Sequence, residues 1–355
     1  MADTLVPKGL DGVAVDVTAI ATTDESGNLL YRGYRAIDLA ARKSFEEVAH
    51  LVLLGSLPDQ KQLADFRAKI TGNHSLSNEI IDTMRELKQV NLMDAMRSFA
   101  SIYPYASKET VPLLLEIASR FPQILSSSAR ISDGEEPLKP IRGTYSENLY
   151  YLLTGTENKQ HSRALEKLLI LYMEHEFNAS TFALRVAAST LTDPVSAIVA
   201  ALSTLKGPLH GGANSEVLTY LLNFKSEADA IRFAEQKLEK KEKIMGFGHR
   251  IYKTKDPRAQ FVKGELKKLI GDSIAYHSAT AIEEYVWNRK SLPANLDFYA
   301  ALYLHTIGIK EKYYLPIFAC SRVFGWGAHY IEQTANNKII RPTSVYTGPK
   351  GLEVP

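Results

Sequence analysis

The sequence has 355 residues, and its 42 Lys and Arg against 40 Asp and Glu give a formal charge of +2 at pH 7. This balance excludes nucleic-acid binding through a strong positive charge, and the short apolar runs exclude a membrane-spanning segment. A single cysteine, Cys320, excludes an internal disulfide and a zinc site built from several cysteines. The N-terminus lacks the apolar core of a secretory signal, so we expect a cytoplasmic protein.

The first predicted element is a small β-ribbon near the N-terminus. Residues 13–20 are rich in β-branched side chains and alternate loosely between apolar and polar, which predicts a strand. The run DESGN at 24–28 is typical of a turn, and residues 29–31 would form the returning strand.

Helical patterns dominate the rest of the chain. Ser44 and Glu47 form a capping box that predicts a helix ending at Gly55, and Pro58 predicts the start of the next. Further segments with a period of 3.6 residues are 77–89, 93–103, 109–120, 144–154, 162–176, 194–205, 214–222, 227–243, 257–270, 278–289, 297–306 and 316–337. Strands do not alternate with these helices, so the pattern predicts a mainly α fold. No flexible linker marks a domain border, and we expect a second domain to be an insertion with a hinge at 207–212.

Three histidines stand out from the nine in the sequence. His175, His210 and His249 lie in segments rich in Gly, Asn or charge, and the last two adjoin glycines that let a ligand approach. The others are expected to be ordinary hydrogen-bonded or packed residues: His50, His74, His161, His277, His305 and His329. The segment HEFNA lacks the second histidine of a helical zinc motif, although a zinc site built from three distant histidines stays open. The glycine-rich GPLHGGAN does not follow the order of a phosphate-binding loop.

Three arginines and one aspartate are further candidates. Arg258, Arg322 and Arg341 carry planar guanidinium groups that would suit a dicarboxylate, although each alone could be a surface ion pair. Prolines adjoin Arg258 and Arg341 and would stiffen the backbone there. Asp297 begins an apolar helical run, so it could be a helix N-cap or a general base in apolar surroundings. The sequence pattern leaves both roles open.

The combination of these motifs resembles one enzyme family. GPLHGGAN, MGFGHRIYKTKDPRA, LDFY, SRVFGWGAHYIEQ and IIRP occur here in the order seen in the citrate synthase family. The N-terminal GLDGVAVDVTAI and LLYRGYRAIDLA and the central EHEFNASTF are similar as well. The resemblance runs from about Gly9 to Gly348 and is to the shorter bacterial and archaeal type.

This resemblance implies a mainly α-helical fold of two domains, with the small β-ribbon at its start, in a homodimer. Residues 212–311 would form a small domain that binds CoA and closes over the site. Residues 1–211 and 312–355 would form the large domain, which carries the dimer contacts and the oxaloacetate site. Closure in such enzymes keeps water from the reacting groups.

The resemblance also implies a reaction, that of a Si-type citrate synthase in the tricarboxylic acid cycle. Such an acyltransferase joins acetyl-CoA to oxaloacetate and converts the acyl group to alkyl, with no metal and no permanently bound cofactor. Asp297 would take a proton from the acyl group, His210 would stabilise the enolate, and His249 would protonate the oxaloacetate carbonyl. The other implied residues are the substrate-binding His175, Arg258, Arg322 and Arg341 (the last reaching the partner subunit's site), Asn178 and Ser180, which orient His210, and the CoA-binding Met245, Gly246, Phe247, Gly248 and Lys253.

The acyl substrate is the open choice. The family includes 2-methylcitrate synthases, which use propionyl-CoA. Leu209 favours acetyl-CoA whereas Phe177 favours propionyl-CoA, and a family His-Pro-Met segment reads Asn91-Leu-Met here. We predict a citrate synthase, with a 2-methylcitrate synthase, a dual-specificity enzyme or a non-catalytic metabolite-binding member as alternatives.

Overall fold

The chain is built from helices and one small sheet. The computed structural model describes residues 7–10, 12–71, 75–87, 90–210 and 213–354, and of residues 213–215 it describes the backbone alone. Within these ranges there are sixteen α-helices and one three-stranded antiparallel sheet. The prediction of a mainly α fold with a small N-terminal sheet is confirmed. His74 and residues 211–212 lie outside the described ranges. Residues 211–212 are the last two of the predicted hinge at 207–212 and include the predicted domain boundary.

The sheet has the order β1 (Ala21–Thr23), β2 (Leu29–Tyr31) and β3 (Tyr34–Arg35). The predicted returning strand is confirmed, but the predicted first strand at 13–20 is wrong, because β1 begins at Ala21. Val13, Val15 and Val17 are exposed. A β-branched run forms a strand only where it finds a pairing partner and a surface to pack on, so its composition misled the prediction.

The helices follow one another with short connections. In chain order they are α1 (Ala36–Arg42), α2 (Phe45–Leu54), α3 (Gln60–Thr71), α4 (Asn78–Glu86), α5 (Leu92–Ile102), α6 (Thr110–Ser132), α7 (Tyr145–Thr154), α8 (Lys159–Tyr172), α9 (Ala179–Ser189), α10 (Pro194–Leu205), α11 (Ala213–Asn223), α12 (Glu227–Glu239), α13 (Pro257–Ile270), α14 (Ile274–Lys290), α15 (Leu296–Thr306) and α16 (Tyr314–Ala335).

Several helix boundaries match the sequence signals. The predicted capping box of Ser44 and Glu47 is present at the start of α2, and Gly55 ends that helix in the left-handed conformation. Helices α10 and α13 begin at a proline that follows an aspartate N-cap. Asn91, a departure from the family pattern, is the N-cap of α5 and accepts a hydrogen bond from the Met93 N–H.

Other boundaries differ from the prediction. Helices α1 and α9 were not predicted, and α6 continues through Pro122 to Ser132, because burial on most of its faces outweighs the lost backbone hydrogen bond. Helix α8 ends at Tyr172, so His175 lies in the loop before α9 rather than in the predicted helix 162–176.

Helix α16 is the centre of the core. It packs against α2, α6, α8, α9 and α10, and its side chains are buried along most of its length. The helices α11 to α15 pack on one another, with α12 against α14 and with α11 and α13 against α15. No helix among the described residues is both long enough and apolar enough to cross a bilayer.

Replacement of Gly325 by alanine tests the close packing of α16. A Cβ at this position would overlap the carboxylate of Glu174 and the carbonyl of Met173. We expect Gly325→Ala to lower the free energy of unfolding by about 1–3 kcal/mol. In the control Gly264→Ala, within α13, the added Cβ meets nothing within 4 Å, so stability should rise by about 0.5–1 kcal/mol. Denaturant unfolding at one protein concentration measures both, and equal effects would contradict the expectation.

Candidate active site

The loop between α8 and α9 carries His175. Tyr31 of β2 anchors it, since the Tyr31 hydroxyl lies 3.1 Å from both the Ile170 and Glu174 carbonyl oxygens. Glu176 has a left-handed backbone (φ 53°), which is strained for a residue with a side chain. His175 is buried, with its Nε2 3.2 Å from the Tyr252 hydroxyl. Burial, with nearby Arg258, keeps the pKa of His175 well below its usual value.

A buried polar network lies behind this loop. Glu174 is fully buried, and its Oε1 lies 3.0 Å from Nε2 of His329 on α16. Arg185 of α9 donates to His329 Nδ1 at 3.1 Å and to Glu332 at 2.8 Å. Because Arg185 can only donate, Nδ1 accepts and the His329 proton lies on Nε2, facing Glu174. Sequence reasoning missed Glu174 and Arg185, because their partners lie more than a hundred residues away.

Ser180 contacts His210. The Ser180 N–H donates to Nε2 of His210 at 3.3 Å, and the Ser180 hydroxyl oxygen lies 2.9 Å from the same nitrogen. The Ser180 hydroxyl oxygen also lies 2.8 Å from Oδ1 of Asn178, so its single proton can be donated to either neighbour. A backbone N–H can only donate, so we assign Nε2 as the acceptor and place the ring proton of neutral His210 on Nδ1. Burial, aided by Arg322, lowers the pKa of His210 to about 4.

His249 has the opposite tautomer. Its Nδ1 accepts from the backbone N–H groups of Ile251 and Tyr252 at 3.1 and 3.2 Å, which leaves the proton on Nε2. The ring stacks on that of Tyr252 and lies 5.3 Å from that of His175. Burial, followed by the charge of Arg258, lowers the pKa of His249 to about 4.

Two buried guanidinium groups adjoin these rings. Arg258, on the first turn of α13, donates from Nε and Nη2 to Asp256 at 3.0 and 2.9 Å. Burial opposes the charge of Arg258, but the Asp256 carboxylate overcomes this and raises its pKa above the usual value. Arg322 of α16 donates from Nε to the Tyr172 carbonyl at 2.6 Å, and burial lowers its pKa to about 10.

Asp297 lies in the first turn of α15 and is half-buried. The N-cap alternative for Asp297 is wrong, because Asn295 holds the N-cap position and Asp297 is the second residue of the helix. Burial lowers the pKa of Arg322, and the charge of Asp297 offsets a small part of that lowering, so the two groups interact electrostatically.

The loop with the predicted CoA-binding residues is paired to the segment before α15. Gly246 accepts from the Asn295 N–H at 2.9 Å, the Gly248 N–H donates to Pro293 at 2.8 Å, and Phe247 forms a β-bridge with Ala294. A Cβ at Gly246 would lie 2.9 Å from the ring of Phe298. These backbone groups thus tie the two segments together.

The remaining predicted residues lie at the margin or outside this cluster. Met245 accepts from the Tyr220 hydroxyl at 2.8 Å, and the exposed Lys253 lies 3.4 Å from the His249 carbonyl. Arg341 is exposed in the segment after α16, and among the described residues no hydrogen bond or ion pair joins it to the cluster. Within the described ranges, no three His, Cys, Asp or Glu side chains are grouped so that they could hold a metal ion.

The protonation of the histidines can be measured directly. Since burial lowers the pKa of His210 and His249 to about 4, both rings stay neutral well below the pH at which free histidine titrates, about 6.5. The unfolded chain then binds more protons, so stability should fall as pH drops from about 6.5 towards 4. In ¹⁵N-histidine-labelled protein, both rings should keep neutral chemical shifts at about pH 5.5. Titration of either ring near 6.5 would contradict this.

Known proteins resemble this chain in sequence and in structure. Residues 9–343 match the family model described as citrate synthase, C-terminal domain. The chain is 40% identical to a 2-methylcitrate synthase of Shewanella oneidensis (97% of this chain, 95% of that one) and 39% identical to citrate synthase 2 of Bacillus subtilis (96% of each). The crystal structure of citrate synthase from Thermotoga maritima matches with a TM-score of 0.91 at 39% identity, over 99% of this chain and 98% of that one. The chain therefore belongs to the citrate synthase family of condensing transferases.

Proposed function

We propose that this chain condenses acetyl-CoA with oxaloacetate to give citrate and CoA. The observation that carries the proposal is the pair of neutral histidines with opposite tautomers, His210 and His249, beside two buried arginines and a half-buried carboxylate. Together these groups offer two hydrogen-bond donors, two carboxylate-binding cations and a base.

The first proposed step forms the nucleophile. The Asp297 carboxylate removes a proton from the methyl carbon of acetyl-CoA, and the electron pair moves onto the thioester oxygen. The Nδ1–H of His210 donates a hydrogen bond to that oxygen as its negative charge grows. A neutral imidazole held by Ser180 serves this purpose without a competing net charge.

The second proposed step forms the new carbon–carbon bond. The enolate carbon attacks the ketone carbon of oxaloacetate, and the Nε2–H of His249 protonates the ketone oxygen to a hydroxyl. Arg258, Arg322 and Arg341 bind the carboxylates of oxaloacetate, because guanidinium groups match carboxylate geometry. His175 contacts oxaloacetate as well. Water then hydrolyses the citryl-CoA thioester: its oxygen bonds to the acyl carbon, the C–S bond breaks, and the CoA thiol leaves with a proton from the water. The proton held by Asp297 returns to Nε2 of His249, which restores both groups. These steps require no metal and no permanently bound cofactor.

Propionyl-CoA is the alternative acyl substrate. It differs from acetyl-CoA by one methylene, which a hydrophobic pocket distinguishes by only about 1–3 kcal/mol. Relatives of nearly equal identity carry the names 2-methylcitrate synthase and citrate synthase, and one of Bacillus subtilis carries both. The side chain of Leu209 is 98% exposed, whereas the Phe177 ring packs 4.4 Å from the Arg185 guanidinium. We propose acetyl-CoA as the preferred substrate and propionyl-CoA as a second one.

We further propose that residues 212–311 form a small domain that binds CoA and closes over the site. The packing of α11 to α15 on one another supports this unit. The backbone from Met245 to Gly248 and the exposed Lys253 would contact CoA. A solved structure from Thermoplasma acidophilum, similar at a TM-score of 0.90 and 31% identity over 99% of this chain and 98% of that one, is a ternary complex with carboxymethyl-CoA and oxaloacetate.

We also propose a cytoplasmic homodimer in which Arg341 enters the partner subunit's site. Exposed apolar side chains on both terminal segments support an interface there, among them Val13 and Val17 at the N-terminus and Ile339, Val345 and Tyr346 near the C-terminus. The single, fully buried Cys320 fits a reducing compartment such as the cytoplasm.

Release of the CoA thiol tests the reaction. We expect release from acetyl-CoA that depends on oxaloacetate, with a higher kcat/KM than for propionyl-CoA. Asp297→Asn should lower kcat by about 10²–10⁴-fold, because the general base is lost, while oxaloacetate binding measured by calorimetry persists.

Two outcomes would contradict the proposal. No oxaloacetate-dependent release from either thioester by folded protein would exclude the condensation. A higher kcat/KM with propionyl-CoA would make the chain a 2-methylcitrate synthase.

Mixed dimers test whether Arg341 acts across the interface. Arg341→Ala should raise the KM for oxaloacetate, since a cation that binds carboxylate is lost. An Arg341→Ala subunit paired with an Asp297→Asn subunit has one intact site only if Arg341 acts on the partner. At oxaloacetate concentrations far below the KM of the Arg341→Ala variant, random 1:1 reassembly should then recover about a quarter of the wild-type rate. Recovery no greater than that of the separate variants would place Arg341 in its own subunit's site or in none.

A further inference from the structure

We propose that Asp256 is a positioning residue that fixes, with one carboxylate, both the guanidinium of Arg258 and the first turn of the helix that carries Asp297. The inference rests on the function proposed above and extends it to a residue that touches neither substrate. Asp256 would thereby couple the binding of oxaloacetate to the placement of the base.

The geometry around Asp256 gives each carboxylate oxygen two donors. Oδ1 accepts from the backbone N–H and from Nε of Arg258, both at 3.0 Å. Oδ2 accepts from Nη2 of Arg258 at 2.9 Å and from the backbone N–H of Leu296 at 3.1 Å. Asp256 is completely buried, so water does not compete for these bonds. The four donors match the four lone-pair positions of a carboxylate.

The bond to Leu296 fixes the start of α15. The first N–H groups of a helix have no partner within it and require an external acceptor. The N-cap residue Asn295 makes no side-chain capping bond, and its Nδ2 donates instead to the Gly248 carbonyl at 3.1 Å. Asp256, forty residues earlier in the chain, supplies the acceptor for Leu296. Leu296 directly precedes Asp297, so this bond restrains the backbone that carries the base.

The same carboxylate orients the groups that face oxaloacetate in the proposed reaction. With Nε and Nη2 held by Asp256, the guanidinium of Arg258 is fixed in its plane. Its Nη2 also lies 3.5 Å from Nε2 of His249, and its Cζ lies 5.2 Å from the centre of the Tyr252 ring. A tilt of Arg258 would therefore change the surroundings of the proposed proton donor as well.

A helix N-cap elsewhere in the chain provides the contrast. Asp193 also precedes a proline and caps its own helix, α10, by accepting from the N–H of Ser196 at 3.0 Å and its hydroxyl at 2.7 Å. Both of these bonds stay within α10, whereas Asp256 joins α13 to α15. Capping alone does not account for the contacts of Asp256.

The first experiment is Asp256→Asn with Asp193→Asn as the matched control. An amide offers one oxygen, so two of the four donors around residue 256 would face an NH₂ group. We expect the KM for oxaloacetate to rise about tenfold or more, because Arg258 is no longer held in its binding plane. Exchange of the acetyl-CoA methyl protons with deuterated water, in the presence of L-malate, which has no ketone to attack, should slow by about 10²-fold. The Asp193→Asn control should stay within about twofold of wild type in both.

The second experiment removes the N–H that links α15 to Asp256. Leu296→Pro deletes the N–H that reaches Asp256 at the first helical position, where proline is tolerated, and leaves Asp256 and Arg258 unchanged. Methyl-proton exchange should slow while the KM for oxaloacetate stays near the wild-type value. Ile274→Pro, at the same position of α14, controls for the proline itself, and Leu296→Ala, which removes the same buried side chain but keeps the N–H, controls for lost packing. Neither should slow the exchange.

The outcomes separate the inference from the function on which it rests. Wild-type protein without oxaloacetate-dependent CoA release would remove both. If the wild type is active but Asp256→Asn keeps its KM and its exchange rate, the positioning role is overturned. The same holds if Asp256→Asn shows a lowered melting temperature and no other change. A raised KM with unchanged exchange in both Asp256→Asn and Leu296→Pro would overturn the coupling to Asp297. If Asp256→Asn does not fold, Leu296→Pro alone decides that coupling.

Discussion

The burial of two guanidinium groups, those of Arg258 and Arg322, constrains the whole site. Burial first, and then the positive charge of these arginines, opposes a charge on the imidazoles of His175, His210 and His249, so the three rings stay neutral. A neutral imidazole has one donor and one acceptor, and the backbone decides which nitrogen is which. The N–H of Ser180 sets His210, and the N–H groups that follow His249 set that ring. Burial and the charge of the arginines thus keep the rings neutral, and the backbone N–H groups determine which nitrogen of each ring carries the proton.

The rest of the fold supplies what these cations require. Arg258 has the carboxylate of Asp256 as its counter-charge. Burial lowers the pKa of Arg322, and the charges of Glu174 and Asp297, from different elements, offset part of that lowering. Glu174 is in turn held by His329 on α16, the same helix that carries Arg322. Helix α16 therefore brings two groups to the same region, the cation Arg322 and the His329 ring that binds its counter-ion Glu174.

Sequence patterns predicted the elements and the candidate residues better than their contacts. Capping signals such as Ser44 with Glu47 are local, so the ends of α2 were readable from neighbouring residues. The histidines and arginines of the cluster were found because they lie in segments with unusual glycine or proline neighbours. The partners Glu174, Arg185 and Asp256 were missed, since each acts on residues distant in sequence. The run at 13–20 was misread because a strand depends on a partner that local composition does not reveal.

The pairing of the loop at 245–248 with residues 293–295 has a consequence for how the site opens. Gly246 and Gly248 exchange hydrogen bonds with Asn295 and Pro293, so neither segment can detach without leaving the other's backbone groups unpaired. The two segments thus form a single cooperative unit in local unfolding. His249 directly follows the first of these segments and Asp297 lies two residues after the second, so opening of the pairing would displace both residues. A state that keeps the proposed base in place without the proposed proton donor is therefore disfavoured, since it would leave these backbone groups unpaired.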